Sequence, residues 1–153
     1  NPVWPMDGLS FLLKRLGASG LPVGIVSNAQ FYTPIVLEAL GCRTDQEPFD
    51  PDLCIWSYQR REAKPSPVLF EELKRLLAGR AISARETLFV GNDLLNDIYA
   101  AAQLGFSTCL FAGDASSLRL REGNPVCEGV LPDLVVQDLE QLAMLIDGPQ
   151  ATA

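Results

Sequence analysis

Short apolar runs alternate with helical stretches along this chain, and no other feature restricts its fold as much. LPVGIVSN (21–28), DLCIWSY (52–58), TLFVG (87–91), STCLF (107–111) and PDLVVQ (132–137) read as strands with little polar alternation. Strands that are apolar on both faces belong to parallel sheets covered by helices on both sides. The stretches between them carry helical spacing. Leu9, Leu12, Leu13 and Leu16 share one face over 8–19, and Gly17 and Gly20 mark the exit. Residues 31–40 read as a helix with Pro34 in its first turn and Gly41 as its stop. Val68, Leu69, Leu73, Leu76 and Leu77 space a helix over 66–78. Further helices are expected over 95–104, ending at Gly105, and over 138–146; 113–131 reads as a loop. The expected fold is α/β, a doubly wound parallel sheet forming one domain over 1–147, with a frayed tail at 148–153.

Composition narrows the chemistry. Of 153 residues, 48% are hydrophobic, enough to bury a core, and the net charge of −7 disfavours nucleic acid or an anionic membrane as main partner. No apolar run approaches the roughly 18–20 residues that span a bilayer. Cys42, Cys54, Cys109 and Cys127 show no CxxC spacing and read as reduced thiols of a cytoplasmic protein. Histidine is absent, which removes histidine bases and histidine-ligated metals. Chemistry here must run on carboxylates, lysine, hydroxyls and backbone amides. Trp4 and Trp56 read as packing residues. Arg119 and Arg121 in FAGDASSLRLR stand near a loop that could approach the site mouth, but read first as surface charges.

Ligands of parallel α/β sheets collect beyond the carboxyl ends of the strands. Ser27 and Asn28 follow the first strand, Lys64 and Pro65 the second, and Asn92, Asp93, Asn96 and Asp97 the third. Each has a structural reading alone: a turn or cap for Ser27-Asn28, a solvated loop charge for Lys64 with Pro65 in the next helix's first turn, an N-cap for Asp93 with Asp97 exposed one turn on. Taken together they place a hydroxyl, an ammonium and two carboxylates at one edge. Asp93 and Asp97, four apart on a helix, repel unless something neutralises them, and a hard cation such as Mg²⁺ does so.

GIVSN, KPSP and VGNDLLND, in that order, resemble the second, third and fourth motifs of the haloacid dehalogenase-like hydrolase superfamily. The likeness runs from about Pro5 to Ile146. It implies a Rossmann-like core and, for most members that keep both acids, a Mg²⁺-dependent phosphatase acting on a small phosphorylated metabolite. By that resemblance Ser27 and the Asn28 backbone N–H hold a phosphoryl oxygen, Lys64 neutralises the phosphoryl group and the attacking carboxylate, Asp93 and Asp97 hold Mg²⁺, and Asn96 orients the loop.

The family's first motif, DxDx[TV], supplies the nucleophile and the acid/base and is not found. Asp7 in MDGLS precedes a helix and follows no strand; it is rejected as the nucleophile. The chain opens NPVWPMDG without an initiator Met, so it is expected to be a piece of a longer polypeptide. In the family the missing strand lies centrally, between those ending at Ser27 and Gly91. The isolated piece is therefore expected to be inactive and unstable. The family's caps, which set substrate choice, would lie upstream; too few residues separate 52–58 from Lys64 to hold one. A dehalogenase is a weaker reading within the superfamily. Outside it stand a non-catalytic binding or regulatory protein of the same fold and a receiver-like phosphoacceptor domain, whose acidic pair would precede the Ser and Lys. Oligomeric state and substrate identity are not legible.

Overall fold

The computed structural model describes residues 3–146; the expected tail at 148–153 lies outside them. Strands β1 (Val23–Ser27), β2 (Phe49–Trp56), β3 (Leu88–Gly91), β4 (Ser107–Phe111) and β5 (Leu134–Val136) alternate with helices α1 (Leu9–Ser19), α2 (Thr33–Ala39), α3 (Ser57–Arg60), α4 (Val68–Ala78), α5 (Ala100–Gln103) and α6 (Leu139–Ile146). All strand pairs are parallel, and they form two ladders, β1–β2 and β3–β4–β5. Among the described residues β1 and β3 each keep one edge without a strand partner.

One core serves both ladders. Val26, Leu53 and Ile55 of the first pack with Leu69, Phe70, Leu73 and Leu77 of α4 and with Ala100, Ala101 and Phe106; Phe89 of the second joins them. The Phe70 and Phe89 rings meet edge to face at 4.8 Å, a favoured aromatic arrangement. Val90, one residue on, faces the opposite side and packs with Cys109, Phe111, Val136 and Leu139 of α6. That alternation is the period of two of a strand that packs on both faces. α1 packs on α6. No described helix is long and apolar enough to cross a membrane.

Five local expectations are corrected. The second strand is earlier than 52–58 and ends at Trp56. There the Ser57 hydroxyl accepts from Ala29 N at 2.9 Å and donates to Ala29 O at 3.1 Å, and polar residues begin the short helix α3. The helix expected over 95–104 opens as a π-helical turn, Leu94–Tyr99, before α5. Pro65 lies ahead of α4, in the turn between Lys64 and Pro67, and not in its first turn. Trp56 is buried, but Trp4 is 78% exposed and is no packing residue. Arg121 does not stand free at the surface, as described below. The four thiols are unbridged, and burial pushes Cys54 up to about 11.

Candidate active site

Ser27 is the last residue of β1, and Asn28 follows it into the turn that leads to α2. The Asn28 side chain grips the backbone of Lys64 from both sides. Its Oδ1 accepts from Lys64 N at 2.7 Å and its Nδ2 donates to Lys64 O at 2.9 Å. A loop residue 36 positions away is thereby fixed beside the end of β1. Asn28, expected to contribute only its backbone N–H, thus acts through its side-chain amide.

So held, the Lys64 side chain runs inward between the two ladders. Its side chain is 10% exposed, and Nζ donates to Val26 O at 2.8 Å and to Asp97 Oδ1 at 2.5 Å. The ammonium also lies 5.4 Å from the centre of the Phe89 ring, within cation–π range. One lysine therefore ties the open edge of β1 to the turn after β3. An ammonium has three N–H groups, and these two bonds leave one of them to point elsewhere.

Asp93 and Asp97 sit just beyond β3, the first as the N-cap of the π-helical turn and the second within it. Both are buried. Asp93 caps the turn: Oδ1 accepts from Leu95 N at 3.0 Å and Asn96 N at 3.1 Å, and the Asn96 side chain donates to Oδ2 at 2.9 Å. Asp97 folds backwards, so that Oδ2 accepts from Asn92 N at 3.1 Å and Asp93 N at 3.0 Å. The wide turn makes room for this, with Ile98 N donating to Asp93 O across five residues at 3.2 Å. Such turns recur at functional sites. A Cβ on Gly91 would fall 2.4 Å from Asp97 Cβ. Only glycine lets the second carboxylate close against the strand end.

The expected repulsion between the two acids is relieved within the chain. Lys64 neutralises Asp97, and Arg121 forks onto Asp93, with Nε on Oδ1 at 2.9 Å and Nη2 on Oδ2. Burial alone would raise the Asp93 pKa; Arg121 and the Asn96 and Leu95 amides outweigh it and hold the carboxyl below its ordinary value. The guanidinium of Arg121 is raised in turn, by its hydrogen bond with Asp93 first. Arg121 comes from the loop 113–131, which is strapped across the site: Asn92 Nδ2 donates to Ser117 O, Arg119 N to Asn92 O, and Leu94 N to Arg119 O, all at 2.9 Å. The sequence places Arg121 near a loop that could reach the site mouth, but no local pattern marks its partner, which lies 28 positions earlier.

Two buried carboxylates at one sheet edge are hard oxygen donors of the kind Mg²⁺ takes, alongside water and phosphate oxygens. The residues fit such an ion in type. They form a pair only, for no cluster of three or more potential ligands occurs among the described residues.

A model of the HAD-hydrolase-like family matches residues 62–142, more than half of the chain. The chain belongs to the HAD-like hydrolase family. Solved structures add the fold. The HAD phosphatase of Thermococcus onnurineus aligns with a TM-score of 0.68 and 20% identity over 94% of this chain and 58% of its own. YfnB of Bacillus subtilis, a structure bound to magnesium, aligns at 0.71 and 21% over 93% and 55%. A 2-haloacid dehalogenase of Pseudomonas syringae aligns at 0.63 and 19% over 93% and 53%. This HAD-like chain thus spans a little over half the length of those proteins. A comparison with curated proteins found no match. The parallel ladders β1–β2 and β3–β4–β5 fit the Rossmann-like fold of these structures, and among the described residues β1 and β3 each keep an unpaired edge.

Proposed function

We propose that the polypeptide carrying this chain is a Mg²⁺-dependent phosphatase that hydrolyses a small phosphorylated metabolite through an aspartyl-phosphate. The observation that carries this reading is the buried pair Asp93 and Asp97 at the end of β3, joined through Lys64 to the end of β1. Haloacid dehalogenation needs no metal and gives no reason to bury two acids there. Phosphoryl transfer does, because its demands are positioning and charge neutralisation.

The residues of this chain divide the work by chemistry. Lys64, clamped by Asn28, directs its remaining N–H at a phosphoryl oxygen. The Ser27 hydroxyl and the Asn28 backbone N–H supply neutral donors to the same group. Asp93 and Asp97 hold Mg²⁺, which when bound offsets the charge of the phosphoryl oxygens. The nucleophile comes from a strand outside this chain that pairs with the open edges of β1 and β3. An unpaired buried strand edge is costly, so that strand would complete the sheet as well as the site.

The test is a substrate comparison on the complete polypeptide. Hydrolysis of p-nitrophenyl phosphate that needs Mg²⁺ and stops with EDTA supports the proposal. Release of halide from 2-chloropropionate in the presence of EDTA, with no phosphomonoester turnover, contradicts it.

A further inference from the structure

Arg121 leaves Asp93 no lone pair to give. A carboxylate offers about four acceptor sites on its two oxygens. Asp93 already takes three hydrogen bonds from Leu95 N, Asn96 N and Asn96 Nδ2, and Arg121 adds Nε and Nη2. Asp97 is less committed, with one bond at Oδ1 and two at Oδ2. The three local bonds to Asp93 are built into the turn and persist while the turn does. The two from Arg121 arrive across 28 residues from a side chain that is 37% exposed. They are the ones that can be exchanged.

We propose that Arg121 is a specificity-determining residue that competes with the divalent cation for Asp93, and so sets the cation concentration at which the site fills. The inference rests on the Mg²⁺ reading above and deepens it. Planar guanidinium matches both oxygens of a carboxylate, so a cation that ligates Asp93 must displace the fork. The strap favours exchange over loss of the whole loop. Its backbone is anchored through Ser117 and Arg119, two residues short of Arg121, so the side chain can leave while the loop stays. Arg121 also lines an open depression of about 420 Å³, which leaves a released guanidinium room to move.

The experiment is a Mn²⁺ titration of the complete polypeptide followed by electron paramagnetic resonance, which counts bound metal without turnover. Arg121→Gln should bind Mn²⁺ roughly three- to tenfold more tightly than wild type, because a charge-assisted fork no longer competes. Arg119→Gln removes from the same strap a charge whose side chain bonds Ser116 O and Leu118 O and not the Asp93 carboxylate; it should stay within about twofold of wild type, as expected for a screened surface charge. Equal affinity in wild type and Arg121→Gln, or an equal gain in both variants, overturns the proposal. A second readout on wild type needs no variant: the Arg121 Nε–H resonance should move with the same midpoint as Mg²⁺ binding, and a resonance unmoved at saturation overturns the proposal. Absence of any Mn²⁺ binding overturns the metal reading as well. Binding that is lost in Asp93→Asn but unchanged in Arg121→Gln overturns only the role of Arg121.

Discussion

The Asn28 carboxamide and the Lys64 backbone form a reciprocal pair, 2.7 Å at one end and 2.9 Å at the other. It joins the turn after β1 to the loop before α4 and aims the lysine into the sheet edge. Asn28→Ala removes both bonds. Since they are exposed, the stability loss should be small, about 1 kcal/mol. Turnover should fall more, roughly tenfold or beyond, because a misplaced charge near a transferring group is costly. Steady-state kinetics beside a urea melt on the complete polypeptide separate the two. A rate loss no larger than the stability loss predicts would mean the clamp is structural only.

Lys64 and Asp97 are about 90% buried and bonded at 2.5 Å. Lys64→Met leaves a buried carboxylate without its cation, which should destabilise by about 3 kcal/mol. Lys64→Met with Asp97→Asn should recover much of that loss, since the buried charge is gone. Denaturant midpoints of the two single variants and the double variant form the required cycle; strict additivity would show that the pair is not coupled.

Gly91→Ala puts a methyl group where Asp97 Cβ already lies, 2.4 Å away. The expected outcome is a loss of about 1–3 kcal/mol from overpacking, with weaker metal binding because Asp97 must swing out. Thermal unfolding and a Mn²⁺ titration on one sample check both effects.

The Asp93 carboxyl is held below its ordinary value, so the sign of its pH dependence is fixed. Its contribution to stability is complete above the unfolded-state pKa of about 3.9 and is lost as pH falls through the lower folded value. Arg121→Gln removes the cation that, with the Asn96 and Leu95 amides, outweighs burial. The stability gap between wild type and this variant should therefore be widest near neutrality and close as pH drops below about 4. Urea midpoints from pH 3 to pH 7 would show this; a gap that is constant with pH would mean the fork adds nothing to the ionised form of Asp93.

The sheet and its edge are legible in the sequence because both depend on local pattern. Val23 to Ser27, Leu88 to Gly91 and Ser107 to Phe111 are apolar runs bounded by turn residues, and the carboxyl ends of the first two carry polar groups that mark a site. What escapes the sequence depends on partners distant along the chain. Arg121 lies in a loop of mixed polarity and gains its meaning only from Asp93. Asn28 followed by a turn has the look of a cap, and its grip on Lys64 exists only after β1 and β2 pair. The π-helical turn was hidden because Asp97 reaches back to Asn92 and Asp93, a preference that helical spacing does not encode. Trp4 is apolar in the sequence yet 78% exposed, and a single residue's hydrophobicity does not say what covers it.

In the proposed reaction Asp93 and Asp97 hold the metal for phosphoryl transfer. The most direct measurement is the Mg²⁺ dependence of phosphomonoester hydrolysis in the complete polypeptide, compared among wild type, Asp93→Asn and Asp97→Asn. The account predicts saturable activation by Mg²⁺ in wild type and a loss of roughly a hundredfold or more in kcat for Asp93→Asn, on the scale of removing a main electrostatic stabiliser. Wild-type turnover that ignores Mg²⁺ and EDTA, or an Asp93→Asn enzyme that keeps its full rate and Mg²⁺ response, would contradict it.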